Sequence, residues 1–336
     1  MANTMYKAAI IGCGKIGSDF ADDPRIRDIY THAGAYTSCP DTTLVAVCDR
    51  DGEKAQRCRN RWNAPHSFTD FEEMLIETNP DIVSVCTPDE THFSIIRKIL
   101  ESSEVKAVFA EKPLAMKTDD AQLLADLAKE REIILEVNYF RRFAKKIKDV
   151  RTLIRAGYLG KIHAVNGYYT KGTCHNGTHW FDLARFLIGE IRSVSGYDSL
   201  RENTEDPTYD ALVTFKEGAL GTLHACDATK YSIFEMDILG TEGRVFLKDG
   251  GHRIELYKVK DNPFYSGYSS LLLQETIDDA VKDALLYGIE DIVECIRTSR
   301  IPLCSGIDGV EALKIACAIR KSAISGTPVE LKQVSQ

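Results

Sequence analysis

Several things are scarce in this sequence. Its ten cysteines contain no C-x-x-C pair and keep no regular spacing, so neither a disulfide framework nor a thiolate metal cage is written into it. No apolar run is long enough to cross a bilayer. Basic residues number 42 against 50 acidic ones, and the net charge of −8 argues against a general nucleic-acid binder. No internal repeat or low-complexity stretch is present. The first residues lead into a β-rich run without the charged, apolar and cleavage regions of a signal peptide. A cytoplasmic chain with reduced thiols is therefore expected.

What is present is enough for two domains, since 336 residues exceed one ordinary core. Cys13, Cys48 and Cys86 stand inside apolar runs and read as small core residues. Residues 7–11, KAAII, open directly into Gly12-Cys13-Gly14-Lys15-Ile16-Gly17. G-x-G-x-x-G between a strand and a helix is the context of dinucleotide binding. Gly12 permits the tight turn, Gly14 lets the backbone approach a pyrophosphate, and Gly17 lets helix and strand pack closely. The helix expected after Gly17 would present its N-terminus to the anion. A second β-rich run, TTLVAVCDRD, ends at Asp49. A carboxylate there suits the ribose hydroxyls and favours NAD, while Arg50 suits a 2′-phosphate and leaves NADP open.

A third run, DIVSVC, is almost continuously apolar up to Thr87-Pro88 and suits a strand buried on both faces. A fourth, KAVFA, ends in Glu111-Lys112-Pro113, and a fifth, IILEV, leads to Tyr139. Strands alternate with helical patterns such as THFSIIRKILES and TDDAQLLADLAKERE, which predicts an α/β fold with a doubly wound parallel sheet. Ligands of such sheets bind at the C-terminal ends of the strands. Gly14, Asp49, Thr87, Lys112 and Tyr139 all fall there. Lys112 is the sharpest of them. A lysine before a proline turn is ordinarily just solvated, but this one is expected beside the cofactor.

Together these motifs resemble the Gfo/Idh/MocA oxidoreductases. The resemblance rests on Gly12–Gly17, on CTPDETHF with Thr87, Pro88 and His92, and on EKPLA with Glu111, Lys112 and Pro113. It continues through VNYFRRF with Arg141 and Arg142, IRAGYLGKIHAV, HWFDLARFLIG, ILGTEGRVFL and the helical tail, and so covers nearly the whole chain. It implies a Rossmann domain at 1–140 and an α+β domain at 141–336 with a large, mostly antiparallel open sheet, the helical region of about 288–326 returning toward the first domain. Short β-rich runs after residue 160, separated by turns such as Thr241-Glu242-Gly243, agree. It also implies NAD (or NADP) held by Gly12, Gly14, Lys15, Ile16, Gly17, Asp49, Arg50, Thr87, Pro88, His92, Glu111 and Lys112. A homodimer or homotetramer through the second sheet is expected, with no membrane or nucleic-acid partner.

The stretch CHNGTHWFD, residues 174–182, carries two imidazoles four residues apart. The family pattern here is D-x-G-x-H-x-x-D. Gly177, His179 and Asp182 keep their places, but His175 stands where the first carboxylate belongs. The resemblance makes His179 the acid/base and Asp182 a helix neighbour. The chemistry of hydride transfer then expects Lys112 to stabilise a developing alkoxide, and His175, which the resemblance does not cover, is expected to bind substrate or relay the proton. Backbone-satisfied histidines near a helix start are the plain alternative. A zinc site from Cys174, His175 and His179 is set aside, because Asn176-Gly177 reads as a turn rather than one helix face. Further substrate candidates are Tyr139, Arg142, Tyr169 and Lys171. A sugar or cyclitol matches the family, and the arginines favour an anionic one. Two other readings stay open: a lyase, epimerase or glycosidase using transient oxidation, and a non-catalytic NAD(P) sensor.

Overall fold

The computed structural model describes residues 5–331. They form two compact units. Residues through Ala144 join Lys282–Val310 in one, and Lys145–Val281 join residues from Glu311 onward in the other.

The first unit is built on β1 (Tyr6–Ile11), β2 (Thr42–Cys48), β3 (His66–Phe68), β4 (Ile82–Val85), β5 (Ala107–Ala110) and β6 (Ile134–Val137), in the order β3-β2-β1-β4-β5-β6. All neighbours are parallel, the arrangement of a nucleotide-binding sheet with its switch point between β1 and β4. Every residue of β4 and β5 is buried, as a sheet covered on both faces demands. The three-residue β3, invisible to a periodicity search, adds an edge strand beyond the five expected.

The helices of this unit are α1 (His32–Ser38), α2 (Gly52–Trp62), α3 (Phe71–Thr78), α4 (His92–Ser102) and α5 (Thr118–Glu130). Asp51 and Asp70 cap α2 and α3, each carboxylate accepting two backbone N–H groups, and Asn63 and Asn79 close the same helices in the left-handed conformation. Such caps contribute about 1 kcal/mol each. The helix expected directly after Gly17 does not form. Ser18, Asp19 and Phe20 make one helical turn back to Gly14 and Lys15, followed by a single 3-10 turn at Asp19–Asp22. Pro24 cannot donate to a continuing helix, and the regular α1 starts only at His32, its first N–H groups bonded to the carbonyls of Ile16 and Gly17.

In the second unit α6 (Lys145–Arg155) precedes β7 (Ile162–Tyr169), and a π-helical turn at Gly172–Gly177 leads into α7 (Thr178–Leu187). There follow β8 (Ile191–Tyr197), β9 (Asp210–Phe215), β10 (Leu220–Ala225), β11 (Phe234–Gly240), β12 (Gly243–Lys248), β13 (Arg253–Asp261) and β14 (Ser269–Ile277). The chain then gives α8 (Ala284–Thr298) to the first unit, and after α9 (Gly306–Ser325) ends in β15 (Val329–Glu330). The nine strands run β14-β13-β12-β11-β7-β10-β9-β8-β15, antiparallel except for the β7–β10 pair. Trp180, fully buried, lies against Gly167, where a side chain would collide with the indole, and donates its ring N–H to the carbonyl of Glu235 at 3.2 Å. This seats α7 on β7 and β11. The opposite face of the sheet shows Tyr168 stacked on His224 at 5.4 Å, with Leu220 exposed further along the same face of β10.

Candidate active site

In the first unit, the groups expected to meet a dinucleotide follow the C-terminal ends of parallel strands and so share one edge of the sheet. Gly12 follows β1, Asp49 follows β2, Thr87 lies just past β4, Glu111 and Lys112 follow β5, and Tyr139 lies past β6. The three motif glycines have different reasons to be glycine. Gly12 has φ +100°, and a Cβ there would stand 2.5 Å from the carbonyl oxygen of Cys86. Gly17 lies so close to the Gly12 carbonyl that no Cβ fits. At Gly14 a Cβ would meet nothing within 4 Å. The protein itself does not need a glycine there, whereas a pyrophosphate drawn against the backbone would.

The Asp49 carboxylate belongs to this loop. It accepts the N–H of Cys13 at 2.9 Å and that of Asp51 at 3.0 Å. Lys15 and Arg50 are exposed, Ile16 is half-buried, and Pro88 is exposed. These residues could hold a nucleotide laid along the loop.

Three of the expected ligand groups have partners inside the protein. His92 is fully buried, its Nδ1 against the carbonyl oxygen of Pro113 at 2.7 Å and its Nε2 against that of Thr87 at 2.8 Å. It ties the segment after β4 to the segment after β5. Glu111 binds His32 Nε2 at 3.0 Å and the Asn138 amide at 2.6 Å, and His32 reaches Ser84 at 2.8 Å. Burial pushes the Glu111 carboxyl up, but the hydrogen bond and charge of His32, with Lys112 and Asn138, outweigh it and leave it below the ordinary value. Arg142 donates to the Leu303 carbonyl at 3.1 Å and pairs with Asp308 at 3.0 Å. It binds the strand end to the start of α9. Its neighbour Arg141 stacks on Phe140 at 4.5 Å, and burial lowers its guanidinium to about 10. Lys112 is half-buried and Tyr139 buried.

In the second unit the expected turn at Asn176-Gly177 is absent. Gly177 has φ −60° and ψ −33°, and the π-helical turn at 172–177 runs on into α7 as one helical segment. A carboxylate from far along the chain is responsible. Asp206 accepts the N–H of Cys174 at 2.9 Å and that of His175 at 2.8 Å, capping the segment as an N-cap side chain would. Gly172, at φ +84°, lets Asp206 approach, and any side chain there would collide with it. Sequence reading missed Asp206, for which the Asp-Pro step at 206–207 was the sole local signal.

Tyr169 also supports this turn. It is fully buried, its hydroxyl donating to the Tyr209 carbonyl at 2.7 Å and lying 2.9 Å from the Thr173 hydroxyl. Tyr168 points to the other face of the sheet. Lys171 is exposed and left-handed, at φ 69°, a conformation uncommon outside glycine. His175 is exposed, His179 is 7% exposed in the first turn of α7, and Asp182 is buried one turn on. Cys174 is buried. Among the described residues no cluster of three His, Cys, Asp or Glu side chains is arranged to hold a metal, and no helix is long and apolar enough to cross a membrane.

A six-stranded nucleotide-binding sheet followed by a large antiparallel one defines a two-unit dinucleotide-binding α/β protein. Residues 6–139 match the family described as "Oxidoreductase family, NAD-binding Rossmann fold", and residues 172–331 match "Oxidoreductase family, C-terminal alpha/beta domain". The chain therefore belongs to the Gfo/Idh/MocA oxidoreductases. It is 26% identical to the scyllo-inositol 2-dehydrogenase (NAD(+)) of Bacillus subtilis (strain 168), over 97% of this chain and 96% of that one. It is 25% identical to the D-glucoside 3-dehydrogenase of Escherichia coli (strain K12), over 98% and 99%. Among solved structures, an NAD binding oxidoreductase from Klebsiella pneumoniae shares the fold, with a TM-score of 0.82 at 19% identity over 99% of this chain and 100% of that one.

Proposed function

We propose that this oxidoreductase moves hydride between NAD and a hydroxyl-bearing carbon of a sugar or cyclitol. The observation that carries the reading is Gly14, a glycine the fold does not require, beside a carboxylate held on the same loop. The relatives named for inositol and glucoside oxidation support the substrate class. A nicotinamide held there would supply the hydride acceptor. The residues of the chain do the rest. Lys112, a cation at the end of β5, stabilises negative charge on the reacting oxygen. His179 takes the hydroxyl proton. His175, exposed on the capped turn, binds a neighbouring hydroxyl. Because Arg142 is engaged by Asp308, the argument for an anionic substrate loses its main support, and a neutral polyol is the better reading.

A screen of cyclitols, free sugars, glycosides and sugar nucleotides for nicotinamide absorbance tests this, run with NAD and with NADP. Reduction of NAD by a neutral polyol supports the reading. Binding of NAD with no turnover of any polyol overturns it. The exposed sheet face around Tyr168, His224 and Leu220 is proposed as the surface joining copies of the chain, which sedimentation of wild type against Tyr168→Glu would test.

A further inference from the structure

A row of polar side chains crosses the interior of the first unit. His32 and Tyr36 come from α1, Ser84 from β4, Glu111 from the end of β5 and Asn138 from the end of β6, and all five are buried. The Tyr36 hydroxyl lies 2.8 Å from Ser84 Oγ, which in turn lies 2.8 Å from His32 Nδ1. His32 Nε2 donates to Glu111 Oε1 at 3.0 Å, and the Asn138 amide donates to the same oxygen at 2.6 Å. Glu111 Oε2 stands 3.4 Å from the backbone nitrogen of Lys112, so the row ends at the lysine's own peptide. His32 also has a second grip. Its backbone N–H donates to the Ile16 carbonyl at 3.0 Å, and that of Ala33 donates to Gly17 at 3.0 Å. One fully buried residue therefore touches the dinucleotide loop with its backbone and the Glu111–Lys112 segment with its ring.

We propose that His32 is a positioning residue, which fixes the loop that takes the dinucleotide and the cation that meets the substrate oxygen in one register. Its catalytic meaning rests on the proposed function. His32 is 0% exposed, so it meets neither cofactor nor substrate and acts only through its two grips. Its ring is wedged in place, 4.9 Å from that of Phe109. On the far side of Lys112, His92 holds the Pro113 carbonyl at 2.7 Å. Lys112 thus stands between two residues that are each tied to a buried imidazole.

Stability alone gives little reason for such a row. A buried carboxylate and its partners are commonly replaced by apolar side chains at no loss of stability, and the strands around this one are apolar apart from Ser84 and Glu136. Two members of the row stand next in sequence to groups placed at the strand ends, Glu111 to Lys112 and Asn138 to Tyr139. Hydride transfer needs a fixed distance between reacting groups, and a misplacement of about 1 Å costs about 10²-fold in rate. The dinucleotide loop and Lys112 lie on different strands, β1 and β5, with β4 between them. A side chain that spans from one to the other supplies that fixed distance.

The test uses the full-length protein and three variants. His32→Leu removes the ring donor and keeps the backbone grip. His32→Gln restores an N–H that can reach Glu111. Asp70→Ala removes the cap of α3 and serves as a destabilised control away from the row. Backbone hydrogen exchange across residues 110–116 is read without cofactor, NAD affinity by calorimetry, and kcat and KM on a polyol deuterated at its carbinol carbon, all below every thermal midpoint. In His32→Leu, exchange should quicken about tenfold or more while NAD affinity and KM stay within a few-fold of wild type. Its kcat should fall about 10²-fold, with a larger isotope effect because hydride transfer becomes the slow step. His32→Gln should recover most of both. Asp70→Ala should lose stability yet keep wild-type exchange at 110–116 and wild-type kcat. Should His32→Leu fail to fold, Ser84→Ala, which removes the other partner of the ring, should move exchange and kcat the same way by several-fold. Unaltered exchange at 110–116, a loss of kcat matched by an equal loss of NAD affinity, or an equal loss of kcat in Asp70→Ala overturns the positioning role. Quickened exchange with intact NAD affinity, in a protein that oxidises no polyol, leaves the register standing and sinks the substrate assignment.

Discussion

The carboxylate of Asp206 holds the backbone of His175: Oδ2 accepts the His175 N–H at 2.8 Å while Oδ1 takes that of Cys174 at 2.9 Å. The family position that would carry an acidic side chain is occupied by His175, and a carboxylate nevertheless reaches the same turn from the loop before β9. There it acts on the backbone as a cap. Asp206→Ala should cost about 1–2 kcal/mol, the range for a lost N-cap, read from the urea midpoint. It should also lower kcat/KM on the substrate found by screening. Asp206→Asn, which keeps an acceptor oxygen, should recover most of the stability. Equal stability of wild type and the alanine variant would show that the turn holds without its cap.

Gly14 and Gly17 separate ligand from fold. Gly14→Ala adds a methyl into open space and should leave the thermal midpoint unchanged or slightly raised. It should weaken NAD binding at least tenfold by calorimetry, because the added methyl occupies the path of the pyrophosphate. Gly17→Ala meets the Gly12 carbonyl and should lower soluble yield and stability. Unchanged NAD affinity in Gly14→Ala would remove the main support for the proposed cofactor position.

His179→Ala should reduce turnover by about 10²–10⁴-fold, the usual contribution of a general base, with NAD affinity nearly intact. His175→Ala should raise KM more than it lowers kcat, as loss of a substrate-binding group does. Turnover of His179→Ala within a few-fold of wild type would assign the proton to another group.

Two buried carboxyls of the first unit should respond to pH in opposite directions. Glu111 lies below the ordinary carboxylate value of 4.5, so its contribution to stability is present above that value and is lost as pH falls through its lower folded value. Glu136, fully buried on β6, is raised well above 4.5 by burial first and by Asp291 second. It keeps its proton in the fold and gives it up on unfolding, so stability declines as pH rises above 4.5 toward the folded value. Relative to wild type, Glu136→Gln should gain stability from acid to neutral pH. Glu111→Gln should be destabilised most at neutral pH, with the gap closing in acid. Chemical denaturation across that range checks both, and parallel curves for either variant would refute its assignment.

Much of the architecture was legible along the chain. Apolar runs ending in Asp49, Thr87 and Lys112 marked parallel strands, because a strand buried on both faces must be apolar throughout. Three features were not legible. His66–Phe68 is too short to show a period. The helix expected after Gly17 is interrupted by Pro24. Arg142 and Tyr169 look like ligand groups by type and position, but their partners Asp308 and Tyr209 lie far along the chain.

The sequence by itself determined the order of strands and helices, the glycine loop and the family, because local hydrophobic period, turn chemistry and close backbone approach are properties of neighbouring residues. Tertiary structure alone decided which polar groups stay available. His92, Glu111, Arg142 and Tyr169 are bound to internal partners, and Asp206 caps a turn it does not adjoin. A buried polar group takes whatever partner the fold brings within reach, since leaving it unpaired costs more than any local preference supplies, and no spacing along the chain records that choice.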